Sequence, residues 1–168
     1  MFRTSFLLFI LLTACGTVKH VALWNSSEGE GISASPDVKL PKKYNLYSFN
    51  TDLLKESLAD VGDSEDEAII VQFPEIPGFF KIWETTIVSK KLLEKYPQLL
   101  TYKGFNTSDL STTIRLEIPD EGMHVMVVSS ERTTFISPYN RERNIYMVFD
   151  KKDLEHRGFW ENKREKSR

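Results

Sequence analysis

Residues 112–129 read TTIRLEIPDEGMHVMVVS, and this stretch decides the architecture. Ile114, Leu116 and Ile118 alternate with Thr113, Arg115 and Glu117, the period of two that sends one set to a buried face and the other to water. Pro119-Asp120-Glu121-Gly122 is a tight turn between strands. Strand character resumes over Met123–Ser129. Two strands joined by so short a turn pair antiparallel.

The same signals recur on both sides. Towards the C-terminus, Thr133–Ser137 and Ile145–Asp150 read as strands; towards the N-terminus, so do Leu99–Phe105, Phe79–Val88, Ala68–Phe73 and Tyr44–Phe49. Pro74-Glu-Ile-Pro-Gly78 blocks both helix and ladder, and it joins two of these strands as a hairpin. A helix is expected over Thr51–Val61, where Leu54, Leu58 and Val61 share one face. Asn50 or Thr51 caps it, Asp52 complements its dipole, and Gly62 ends it. A second short helix, Lys90–Tyr96, is capped by Ser89 and stopped by Pro97. The expected fold is α+β: a curved antiparallel sheet of about seven strands, with two short helices packed on one face.

The chain has 168 residues, a single domain's length. It is 40% hydrophobic and 27% charged, with a formal net charge of -2. That balance excludes wholesale disorder and argues against a dedicated nucleic-acid binder. One cysteine excludes an intramolecular disulfide and every multi-cysteine zinc site.

The first residues read as an address. Arg3 is the positive n-region, and Phe6–Leu12 is an apolar run too short for a resident membrane helix. Leu12-Thr13-Ala14-Cys15 resembles the bacterial lipobox, in which the cysteine becomes the lipidated first residue. The expected organisation is a signal peptide over 1–14, a lipidated N-terminus and tether over 15–40, a folded domain over 41–153 and a charged tail over 154–168. Trp24 is the exception within the tether, since its size suits docking on the core. Loss of Arg3 with the signal leaves 21 basic against 24 acidic residues, so electrostatics adds nothing to membrane attachment. The expected partner of Cys15 is the lipid bilayer. The expected location is the cell envelope, at the outer membrane facing the periplasm.

Catalytic patterns are sparse. His20, His124 and His156 are scattered, with no HExxH, no G-x-S-x-G elbow and no Gly-rich phosphate loop. No cofactor, no metal site and no catalytic residue is expected. Glu121 and His124 can meet across the turn, as a satisfied polar pair far more readily than as a catalytic one. Arg132, Arg141 and Arg143 form a basic row that Glu131 and Glu142 balance as a solvated face. Phe79, Phe80 and Trp83 are the best candidate partner contacts, because aromatics anchor interfaces. Aromatics also fill cores. On an alternating strand, Phe79 and Trp83 share a face with Lys81, and Phe80 shares the other with Ile82.

The order of motifs carries a resemblance. It begins with Trp24, Tyr47-Ser-Phe49 and the Leu53, Leu54 and Leu58 helix. Ile70-Val-Gln-Phe-Pro74, Gly78-Phe-Phe80 and Trp83-Glu84 come next. Tyr96-Pro97, Leu100-Thr-Tyr-Lys-Gly104 and Thr113-Ile-Arg-Leu116 follow. Gly122-Met-His-Val-Met126, Phe135-Ile-Ser-Pro-Tyr139 and Tyr146-Met-Val-Phe-Asp-Lys-Lys-Asp153 complete it. From Trp24 to Asp153 the chain resembles the N-terminal pro-domain of bacterial, Bacteroidetes-type secreted reprolysin-like zinc metalloproteases.

In that family a zinc-bearing catalytic domain follows; the residues after Asp153 carry no zinc motif, so no peptide hydrolysis is expected. Silencing of zinc by a pro-segment thiolate does not carry over either, because Cys15 is committed to lipid. The resemblance implies a membrane-anchored, non-catalytic lipoprotein that binds a zinc metalloprotease in trans, as inhibitor or folding helper. The alternative is an orphan or truncated pro-domain serving as a general cell-envelope binding module.

Overall fold

The computed structural model describes residues 23–27, 31–59, 61–85, 100–119 and 121–154. Among the described residues, nine strands form one fully antiparallel sheet. They are β1 (Trp24–Ser26), β2 (Asn45–Phe49), β3 (Ile69–Val71), β4 (Phe80–Glu84), β5 (Leu100–Asn106), β6 (Thr113–Ile118), β7 (His124–Val128), β8 (Thr133–Asn140) and β9 (Ile145–Asp150). Their order across the sheet is β1-β2-β9-β8-β7-β6-β5-β4-β3. From β3 to β9 each strand pairs with its successor, a meander of hairpins. β2 then adds beside β9, which brings the start of the domain to its end.

The curved antiparallel sheet of the sequence reading is present, with nine strands rather than about seven. The extra strand with no sequence signal is β1, a three-residue piece within what reads as tether. It is held by pairing with β2 and by Trp24, whose ring lies 4.2 Å from that of Phe49. The folded part therefore begins before residue 41. Among the described residues there is one α-helix, α1 (Thr51–Leu58), shorter than the expected Thr51–Val61. Asn50 Oδ1 accepts the Leu53 N–H at 2.9 Å, and so Asn50 is the cap. The expected helix Lys90–Tyr96 lies outside the described residues.

The sheet curls into a half-barrel whose two edges approach: Trp24 on β1 lies 6.1 Å from Phe73, just beyond β3. The inner face carries the main core. Phe80, Ile82, Leu116 and Ile136 are fully buried there, and α1 adds Leu54 and Leu58. Each such side chain contributes roughly 1.5–3 kcal/mol by leaving water. Gly104 on β5 permits the curl: a Cβ at this position would collide with the Lys81 carbonyl oxygen on β4.

The loop between β3 and β4 straps the opening. Glu75, at φ 62°, accepts from Asn45 Nδ2 at 2.6 Å and from the Tyr47 hydroxyl at 2.9 Å, both on β2. Its carbonyl oxygen accepts from Arg132 at 3.0 Å.

The outer face is half covered. Ile32, Ala34 and Val38 pack with Tyr139, Ile145, Met147 and Phe149 over β8 and β9. This 31–40 segment is tied down by polar contacts: Ser35 N–H to Tyr139 O at 2.8 Å, Tyr139 hydroxyl to Ile32 O at 3.1 Å, and Asn140 Nδ2 to Ser33 O at 2.9 Å. It reads as tether in the sequence because its apolar residues follow no period; tertiary burial organises them. Leu154, at the boundary assigned to the tail, packs on the same cluster. β8 also runs past the expected Ser137 to Asn140, with a register shift between Pro138 and Asn140. An irregularity of this kind is how a sheet interior accommodates a proline.

Candidate functional site

The register writes the outer face in rows. Trp83, Lys103, Arg115, Met126, Phe135 and Phe149 form successive cross-strand pairs from β4 to β9. A parallel row runs Thr101, Glu117, His124, and a third pairs Lys81 with Phe105 and Thr113. Over β8 and β9 this face is covered; over β4 to β6 it is open, and Arg115 and Lys103 are exposed there.

The three aromatic contact candidates divide by strand parity. Phe80 is fully buried on the inner face, paired with Asn106 and 5.8 Å from the Phe73 ring. It is a core residue, out of reach of any partner of the folded chain. Phe79 is 37% exposed, just ahead of β4. Trp83 is half-buried and packs against the edge of the main core, edge-on to Phe105 at 5.7 Å, with Lys103 Nζ 5.7 Å from its ring centre. Of the three, Phe79 and Trp83 are the ones that keep solvent exposure.

The other sequence candidates resolve differently. Arg132 and Arg141 lie at opposite ends of β8, so they are no cluster. Arg132 reaches Asp150 at 3.7 Å, and Arg141 grips Asp37 through two bonds of 3.2 and 2.8 Å. That guanidinium holds the Asp37 carboxyl below the usual carboxylate range. The Arg143 N–H is taken by Asn140 Oδ1 at 3.0 Å.

His124 has Ser137 Oγ 3.3 Å from its Nδ1 and sits opposite Glu117 on β6. The sequence reading paired it with Glu121 and missed both neighbours. The four-residue turn over 119–122 carries the signal, since it sets 117 opposite 124.

A Ser–His–Glu row resembles a hydrolytic triad in composition. Ser137 lies on an interior strand laddered on both sides, so the neighbouring N–H groups are engaged in the sheet rather than gathered as an oxyanion hole. Among the described residues, no group of three or more His, Cys, Asp and Glu side chains could hold a metal ion. Cys15, His20 and His156 lie outside the described residues.

At the loop strap, burial and the Glu75 carboxylate push the Tyr47 hydroxyl up to about 12. The Ser111 and Thr112 hydroxyls hold the Asp109 carboxyl below its usual range, fixing the turn between β5 and β6.

Among the described residues, no helix is long and apolar enough to cross a membrane. Compared with protein-family models, with characterised proteins and with solved structures, the chain has no match.

Proposed function

We propose that the chain is a lipid-anchored, non-catalytic binding module of the cell envelope that docks a zinc metalloprotease in trans, as inhibitor or folding helper. The observation that carries the docking surface is the open half of the outer face. Trp83 lies on it beside Lys103, with Phe79 exposed just ahead of β4, while the apolar residues of β8 and β9 are covered. Aromatic residues beside a cation are what binding hot spots use. The choice of a metalloprotease as partner rests on the ordered motifs from Trp24 to Asp153. Blocking is steric: a rigid sheet laid over the cleft excludes substrate.

The anchor rests on the Leu12-Thr13-Ala14-Cys15 pattern. Two or more acyl chains, each buried methylene adding roughly 0.8 kcal/mol, hold a protein at a bilayer without help from charge. The outer membrane facing the periplasm is the proposed location.

The test is capture from native envelope extract. Every described element lies within 23–154, so the chain from Gly16 onward keeps all of them. Used as bait, it enriches a zinc metalloprotease, and a Phe79→Ser/Trp83→Ala bait loses that enrichment. Capture that survives the double substitution removes the proposed surface. A bait that enriches no metalloprotease, with metalloproteases detected in the input, favours the second reading, a general envelope binding module. A ligand-sized groove on the outer face favours that reading.

A further inference from the structure

Between the 31–40 segment and the sheet lies a groove of about 570 Å³. Small-molecule sites typically span roughly 300–1,000 Å³, with mostly apolar walls and a few placed polar groups. Met126, Phe135 and Met147 form the apolar wall from the sheet, and Val38 contributes from the segment above. The segment is fixed by its bonds to Tyr139 and Asn140 and by the Asp37–Arg141 pair, so the groove is formed in advance.

The lining carries three cations, Lys39, Arg115 and Arg141, against two acids, Asp37 and Glu117. Arg115 lines the groove where the outer face becomes uncovered, and Lys103 stands directly opposite it on β5. Like charges facing each other across a ladder are unfavourable. Among the described residues, no carboxylate lies within ion-pair distance of either cation. Asp37, at the other end, is neutralised by Arg141. Glu117, two residues along β6 from Arg115, is the remaining acid of the lining and disfavours a doubly charged head. His124 and Ser137 add hydrogen-bonding groups beside it.

We propose that this groove binds a single-chain amphiphile with a singly negative head. The head is held by Arg115, and the tail lies along Met126, Phe135 and Met147 beneath Val38. A fatty-acid carboxylate and a lysophospholipid phosphodiester share this chemistry. Phe79 is not among the residues that line the groove, so Phe79→Ser leaves it intact.

Isothermal titration of the chain from Gly16 onward tests it, with all probes below their micelle concentrations. The probes are dodecanoate, lauroyl lysophosphatidylglycerol, dodecanol and dodecyltrimethylammonium. Either anion is expected to bind at one per chain, at least about tenfold tighter than the alcohol or the cation, the scale of one charge-assisted hydrogen bond. The tighter of the two anions identifies the source. Arg115→Gln brings the anion down to the level of the alcohol, and Arg115→Lys restores most of the difference. Both variants unfold at close to the wild-type midpoint, since Arg115 is exposed. Val38→Glu weakens every probe with the same tail. The proposal is overturned if neither anion binds, if dodecanol binds as tightly as dodecanoate, or if Arg115→Gln binds dodecanoate like wild type.

Discussion

Lys103 on β5 and Arg115 on β6 are direct cross-strand partners on the outer face, two cations side by side between Trp83 and Met126. Such a pair works against folding. Exposed cross-strand pairs are worth roughly 0.2–1 kcal/mol, with the sign set by the charges. Arg115→Gln is therefore expected to raise the unfolding free energy by up to about 0.5 kcal/mol at low salt. The gain shrinks at high salt as screening removes the repulsion. Urea unfolding at two ionic strengths checks this; a loss of stability at low salt contradicts it.

Gly104 is required by contact rather than by backbone angle. Added bulk meets the Lys81 carbonyl of the neighbouring strand, and nothing flexible there can yield. Gly104→Ala is expected to cost about 2–3 kcal/mol, the upper part of the usual overpacking range. An equilibrium unfolding curve reads this directly, and a loss below about 1 kcal/mol would mean the curl relaxes easily.

Tyr47 makes a statement about alkaline pH. Its folded value, raised from 10.0 to about 12, lies above the unfolded one. The folded state therefore holds the phenolic proton more tightly. The stabilisation is complete below about pH 10 and is lost as pH rises towards about 12. Tyr44, Tyr102 and Tyr146 are raised in the same direction by burial. In Tyr47→Phe the decline of the unfolding midpoint over this window is shallower than in wild type. An equal decline in both proteins places the effect on the other tyrosines.

The sheet was legible because its signals are local. Alternation at Ile114, Leu116 and Ile118 gave β6 its correct inner face, and Pro119–Gly122 gave the hairpin to β7. What sequence reading missed is what tertiary contact alone creates. β1 has only three residues, too few for a period, and exists through β2 and the tilted Trp24–Phe49 ring contact. Ile32, Ala34 and Val38 carry no repeat, yet they cover the outer face of β8 and β9. The arginines are exposed as read, but they are no single row: Arg132 and Arg141 are near in sequence, and an eight-residue strand separates them. At about 3.3 Å per residue, that distance rules out a shared site. Parity did sort the aromatic trio correctly, with Phe80 inward and Trp83 outward.

The most direct test of the docking claim is a photo-crosslink made in the living envelope. A benzophenone amino acid at position 79 is compared with one at Leu110, a residue 70% exposed on the turn between β5 and β6. Position 79 is predicted to capture a zinc metalloprotease that position 110 does not. Equal capture at both positions, or capture at neither while the protease is present, would contradict docking through the Phe79 and Trp83 face.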